Sequence, residues 1–127
     1  MQQEMGLPIW NERWALFLDV DGTLLEFADQ PDAVRSTPRL KVLLQKAQLD
    51  LDGAVALVSG RAIAGLDRLF APLRLPAAGL HGAERRSANG AFDYLAGFDG
   101  RLAPVKRSLS QFVARHAGLL LEDKGPA

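Results

Sequence analysis

The sequence predicts an α/β domain built on parallel strands, and three observations lead there. Short unbroken apolar runs recur at residues 14–18, 54–58 and 77–80. The segments between them carry apolar residues at helical spacing. Each run ends abruptly in a polar cluster. Runs of this kind suit strands buried on both faces of a parallel sheet. The strand–helix–strand order implies right-handed crossovers between them.

Residues 1–12 are polar, contain Gly6 and Pro8, and read as a lead-in. The first strand, Trp14-Ala15-Leu16-Phe17-Leu18, stops at Asp19-Val20-Asp21-Gly22-Thr23. Residues 26–37, with Pro31 and several acids, read as a loop. Ser36-Thr37-Pro38 is a helix start, a hydroxyl cap with Pro in the first turn. Leu40, Leu43, Leu44 and Ala47 then form its apolar face, opposite Lys41, Gln45 and Lys46. Asp50, Asp52 and Gly53 end it. The second strand stops at Ser59-Gly60-Arg61, and Ile63, Leu66, Leu69 and Phe70 mark a second helix. The third strand, weaker, ends in His81-Gly82-Ala83-Glu84, and Asn89-Gly90 predicts a two-residue hairpin turn. Residues 97–101 read as a hinge. A helix follows from Pro104 to about His116, with Val105, Leu109, Phe112 and Val113 on one face. Residues 119–124 begin another strand.

Composition narrows the function classes. The 127 residues amount to one ordinary domain or a piece of a larger one. Lys plus Arg and Asp plus Glu both number 15, so no global charge favours nucleic acid or an anionic membrane. The chain has no cysteine, which excludes disulfides, thiol catalysis and thiolate metal sites. No apolar run approaches the ~20 residues of a membrane span. The N-terminus lacks a signal-like apolar core, so a soluble cytoplasmic protein is expected.

In sheets of this type, ligands bind beyond the carboxyl ends of the strands, so the polar clusters are the candidate site. Asp19 and Asp21 stand two apart at a strand end, so alternation places both carboxylates on one side. Converging carboxylates repel and contribute little to packing. They can hold a hard cation such as Mg²⁺, and one can attack phosphorus while the other moves protons. Gly22 permits a sharp turn and Thr23 adds a hydroxyl. A bare Asp-x-Asp is more simply a capped turn. The full Asp-x-Asp-Gly-Thr directly after an apolar strand points to chemistry. Ser59, with Gly60 and Arg61, is either an ordinary N-cap or a phosphate-binding helix start. Beside the Asp cluster the phosphate reading leads. His81 could be a base, a ligand contact or a satisfied polar group, and read alone the last is simplest. Glu122 and Lys124 alternate on one strand face, as a sugar-binding pair or an ordinary ion pair.

These residues resemble a known family. Asp19-Val20-Asp21-Gly22-Thr23-Leu24 is similar to the first signature of haloacid-dehalogenase phosphatases. Val58-Ser59-Gly60-Arg61 and the stretch from Ala78 through His81-Gly82-Ala83-Glu84 to Arg86 resemble trehalose-6-phosphate phosphatases in particular. Leu121-Glu122-Asp123-Lys124-Gly125 resembles the start of that family's sugar-facing cap. Sucrose-phosphate phosphatases and phosphomannomutases share the first signature but not this His-Gly-Ala-Glu segment.

The resemblance implies a partial haloacid-dehalogenase-like Rossmannoid sheet with the beginning of an α/β cap. It divides the chain into a lead-in at 1–12, the N-terminal half of a phosphatase core at 13–100, and the start of a cap at 101–127. It implies that Asp19 attacks the phosphorus of trehalose 6-phosphate, forming an aspartyl-phosphate, and that Asp21 is the general acid and base. Mg²⁺ would be held by Asp19, the Asp21 backbone carbonyl and a later acidic residue. Thr23, Ser59, Gly60, Arg61, His81, Glu84, Glu122 and Lys124 would bind the small-molecule sugar phosphate, with no nucleic acid or membrane involved. Family members continue with a phosphate-contacting lysine and a Gly-Asp-Asp segment, so a truncated chain, inactive and poorly stable alone, is expected. The rival readings are a non-catalytic fragment, a related sugar-phosphate phosphatase and a phospho-acceptor receiver. The Asp-x-Asp-Gly-Thr order argues against the receiver.

Overall fold

The computed structural model of the chain describes residues 8–26, 34–95 and 102–123. Most of the expected lead-in, most of the 26–37 loop, the 97–101 hinge and Lys124 lie outside those residues. The elements are β1 (Leu16–Asp19), α1 (Pro38–Asp50), β2 (Val55–Val58), α2 (Ile63–Phe70), β3 (Ala77–Gly79), β4 (Glu84–Arg86), β5 (Phe92–Tyr94) and α3 (Ala103–Ala114). A single 3₁₀ turn, Leu80–Gly82, joins β3 to β4.

The strands form one five-stranded sheet in the order β1-β2-β3-β4-β5. β1, β2 and β3 are parallel, and β4 and β5 are added antiparallel. The register pairs Leu18 with Leu57 and Asp19 with Val58, so the first two strands end level and their polar clusters emerge side by side.

The core occupies one face of this sheet. Leu57 and Ala77 pack with Leu44 of α1 and with Ile63, Leu66 and Phe70 of α2, while Val20, Leu25, Val34 and Leu75 fill the margins. Leu18 packs against the same cluster. The other face is open: Phe17 is 74% exposed and Val58 41%. The expectation of strands buried on both faces is therefore corrected. Alternation divides each run between a covered and an uncovered side, and β1 lies at an edge of the sheet.

The start and stop of α1 follow the signals in the sequence. Thr37 caps α1, its hydroxyl accepting from Leu40 N–H at 3.2 Å, with Pro38 in the first turn. Asp52 and Gly53 end α1 in left-handed backbone, and Gly53 N–H returns to the Gln48 carbonyl. The apolar face of α1 is narrower than its spacing implied, for Leu44 is buried but Leu43 is exposed. In α2 the expected stripe holds, with Ile63, Leu66 and Phe70 fully buried. The hairpin turn is longer than the two residues expected. Ser87 pairs with Ala91 around a three-residue loop in which Gly90 is left-handed, at φ 83°. Asn89 serves that loop by its side chain, accepting from Ala91 N–H and Ser87 Oγ.

α3 forms where predicted, yet buries none of its residues. The strand expected at 119–124 is absent over 119–123, because a strand needs a partner and no ladder pairs those residues. Among the described residues no helix is long and apolar enough to cross a membrane.

Candidate active site

Beyond β1 the chain folds back on itself within six residues. The N–H groups of Thr23, Leu24 and Leu25 all converge on the Val20 carbonyl, and Gly22 N–H donates to the Leu25 carbonyl at 2.8 Å. Gly22 has φ 82°, the left-handed region that glycine enters without steric cost. Val20 is fully buried and anchors the loop between Asp19 and Asp21. The Thr23 hydroxyl donates to Asp19 Oδ2 at 2.8 Å and fixes the plane of that carboxylate.

Asp21 is held from the neighbouring strand end. Arg61 donates to it as a fork, Nε to Oδ2 and Nη2 to Oδ1, both at 2.8 Å. The two side chains are 19% and 29% exposed, so this charge-assisted pair is partly shielded from water. Arg61, expected to face substrate, is thus engaged with the second carboxylate.

The Ser59-Gly60-Arg61 segment extends β2 and then turns. Ser59 is buried, its N–H donating to the Ala78 carbonyl and its Oγ accepting from Arg61 N–H at 3.1 Å. Ser59 is not the α2 cap that the sequence reading allowed. That helix begins four residues later, and its N-cap residue, Ala62, gives no side-chain hydrogen bond. The cap comes from another element: Glu84 of β4, buried, accepts the Ile63 N–H. Glu84 was expected to contact substrate, and the structure instead places its carboxylate against the start of α2. Mid-chain spacing could not reveal this, because the two residues are 21 apart.

His81 sits on the Ser59 loop. Its N–H donates to the Ser59 carbonyl at 3.2 Å, and Leu80 N–H donates to the Arg61 carbonyl at 3.0 Å. Both residues are left-handed, at φ 56° and 50°, a conformation that costs ordinary L-residues on the order of 1 kcal/mol each. The His81 ring lies over Gly60: a Cβ there would come within 2.7 Å of its Cε1 and Nε2. Gly60 thus admits the ring to the loop surface, where the imidazole is exposed.

Away from this site, Arg86 binds Asp67 through two hydrogen bonds of 2.7 and 2.8 Å and also donates to the Leu75 carbonyl. The fork holds the Asp67 carboxyl below its ordinary value, and the carboxylate in turn raises Arg86. Nothing in the local sequence pointed to this pair.

The structure brings together Asp19, Asp21, Thr23, Ser59, Gly60, Arg61 and His81 at the ends of β1 to β3. It does not bring Glu122 there: that residue is exposed beyond α3, beside the Lys106–Asp123 ion pair of 2.6 Å. Among the described residues no group of three or more His, Asp or Glu side chains gathers as for a metal.

The family model for trehalose-phosphatase matches residues 17–127. A Sinorhizobium fredii protein described as a "probable trehalose-phosphate phosphatase" is 47% identical over 91% of this chain and 43% of its own length. The trehalose-6-phosphate phosphatase of Escherichia coli is 39% identical over 94% of this chain and 45% of its own. The chain therefore spans less than half the length of these curated relatives. Among solved structures, a trehalose-6-phosphate phosphatase related protein superposes with a TM-score of 0.73 at 26% identity, covering 87% of this chain and 48% of that one. The sheet and its helices are those of a haloacid-dehalogenase-like hydrolase, in part.

Proposed function

Because the chain belongs to the trehalose-phosphatase family, we propose that it carries the nucleophile-bearing part of an enzyme that hydrolyses trehalose 6-phosphate to trehalose and phosphate. The observation that carries the reading is the meeting of Asp19 and Asp21 with the Ser59 loop at two level strand ends. Residues 13–100 then form the N-terminal half of the phosphatase core, and 101–127 the start of a cap.

In this reading an Asp19 carboxylate oxygen attacks phosphorus. The bond from phosphorus to the sugar oxygen breaks, and Asp19 becomes an aspartyl-phosphate while trehalose leaves. Asp21 supplies the proton taken by the departing oxygen. It then takes a proton from the water that attacks the intermediate, and phosphate is released with Asp19 restored. In the observed arrangement each Asp21 oxygen accepts one hydrogen bond from Arg61, which fixes the carboxyl and leaves a second lone-pair site on each oxygen. Thr23 orients Asp19, and the Ser59 hydroxyl and the Gly60 backbone receive the phosphoryl group. His81 contacts it from the rim. Glu122, which the observed arrangement does not bring to the site, and Lys124 would meet sugar hydroxyls only once the cap they begin closes over it. Most of the barrier is lowered by placement and by compensation of phosphoryl charge.

The donor chemistry fits Mg²⁺. The Asp19 carboxylate and the Asp21 backbone carbonyl are the hard oxygen donors that this ion takes, and from this chain these two would hold it. When bound, it neutralises charge on the phosphoryl oxygens.

The test is phosphate release by the full polypeptide carrying these residues, from trehalose 6-phosphate, glucose 6-phosphate, sucrose 6-phosphate and mannose 6-phosphate. A kcat/KM at least tenfold higher for trehalose 6-phosphate is expected. A preference for another member of the panel would refute the substrate assignment.

A further inference from the structure

Resting on that functional reading, we propose that Glu84 is a positioning residue for the phosphoryl-binding loop at residues 59–61, acting on it from beneath rather than touching the ligand. One short segment, residues 79–84, grips the loop and its exit at three backbone atoms. Leu80 N–H holds the Arg61 carbonyl, His81 N–H holds the Ser59 carbonyl, and the Glu84 carboxylate holds Ile63 N–H.

The segment is contorted to make this grip. Leu80 and His81 both take left-handed backbone, and strain of that kind persists only where the surroundings impose it. Gly79 has no room for a side chain, since a Cβ would fall 2.8 Å from both the Arg61 carbonyl oxygen and Glu84 Oε1. The carboxylate is therefore wedged between the loop backbone and the start of α2, out of a ligand's reach. The N-cap residue, Ala62, gives no side-chain hydrogen bond, so losing Glu84 removes the acceptor of the Ile63 N–H and frees the loop's exit. Because Ser59 Oγ accepts from Arg61 N–H, movement of Arg61 carries the phosphate-binding hydroxyl with it. What the position needs is an acceptor oxygen at the right reach. Gln can supply that, whereas Ala cannot and Asp is one methylene short.

The experiment compares the full polypeptide with E84Q, E84A and E84D. It measures the dissociation constant of inorganic phosphate by calorimetry, the kcat and KM for trehalose 6-phosphate, and the Ile63 amide proton shift. E84A and E84D are expected to weaken phosphate binding and raise KM roughly tenfold, the scale of one lost charge-assisted hydrogen bond. Their kcat should change little and their Ile63 amide should move upfield. E84Q, which keeps a neutral acceptor in place, should stay within about threefold of the parent in phosphate affinity, KM and kcat and leave the Ile63 amide downfield of its position in E84A. Should E84A not fold, E84D against E84Q decides the matter. Wild-type phosphate affinity in E84D, or equal losses in E84Q and E84D, would overturn the proposal. A parent protein that binds phosphate and turns over trehalose 6-phosphate keeps the functional reading intact in either case. A parent that does neither overturns that reading and the inference with it.

Discussion

Gly60→Ala isolates the contact between the phosphate-binding loop and His81. The added methyl would lie 2.7 Å from two atoms of the His81 ring, against about 3.4 Å for ordinary contact, so the ring must retreat by about 0.7 Å. Gly60 is not among the left-handed glycines, so alanine introduces no backbone strain. His81 is exposed and its ring can rotate, at a cost of roughly 0.5–1.5 kcal/mol. The melting temperature should therefore fall by only a few degrees. The functional cost should be larger, because a misplacement approaching 1 Å in a site that works by positioning can cost ~10² in rate. A fall in kcat/KM for trehalose 6-phosphate of roughly 30- to 100-fold is expected, about 2–2.7 kcal/mol of transition-state stabilisation. The assay is phosphate release beside a thermal melt, for G60A, H81A and the double variant. If the methyl acts through the ring, G60A added to H81A should cost nothing further. Turnover of G60A within twofold of the parent, or full additivity in the double variant, would refute the reasoning.

Four other perturbations follow from the geometry. Arg86→Met leaves the mostly buried Asp67 carboxylate without its fork and should cost about 3 kcal/mol, a drop in melting temperature on the order of 10 °C, with little change in KM. Because Asp67's carboxyl is held below its ordinary 3.8 when folded, the stability it contributes is present above that value and is lost as pH falls through and below it. Acid melts should show that loss in the parent and a flatter profile in D67N. Arg61→Met releases Asp21 from its fork and should lower kcat roughly 10- to 100-fold, within the range of general acid–base effects. Added to D21N it should cost no more than D21N alone, and an additive loss in steady-state kinetics would argue instead for a direct grip on substrate. Thr23→Val removes the hydroxyl from Asp19 Oδ2 and should slow formation of the phosphorylated intermediate about tenfold in quench-flow, leaving the melting temperature within a few degrees.

The fold was legible where a residue's fate depends on its near neighbours. The apolar runs at 14–18 and 54–58, Thr37-Pro38 at the start of α1 and the Ile63, Leu66, Phe70 stripe each carry their own signal, and each element formed there. The aspartates and Ser59 stood out as a candidate site because they follow apolar strands, and parallel register sets those strand ends side by side. His81 read alone as a satisfied polar group and joined the candidates only through the family resemblance. What stayed hidden depended on partners distant in sequence. The Arg61–Asp21 fork joins residues 40 apart, and Glu84 caps a helix 21 residues upstream. Leu43 and Phe17 have the apolar character of core residues, yet both are exposed, since periodicity gives a face but not what covers it. The strand expected at 119–124 failed for a related reason: β-structure is a property of a pair, and the described residues provide no second member.

The central claim is that Asp19 takes the phosphoryl group, and it is tested most directly by trapping that group. The full polypeptide is mixed with trehalose 6-phosphate labelled at phosphorus, quenched in acid within milliseconds, digested and mapped by mass spectrometry. The account predicts a labelled acyl-phosphate on Asp19, discharged by hydroxylamine, absent from D19N and both formed and hydrolysed more slowly in D21N. Label on another residue, or turnover by D19N at the parent's rate with deamidation excluded, would contradict it.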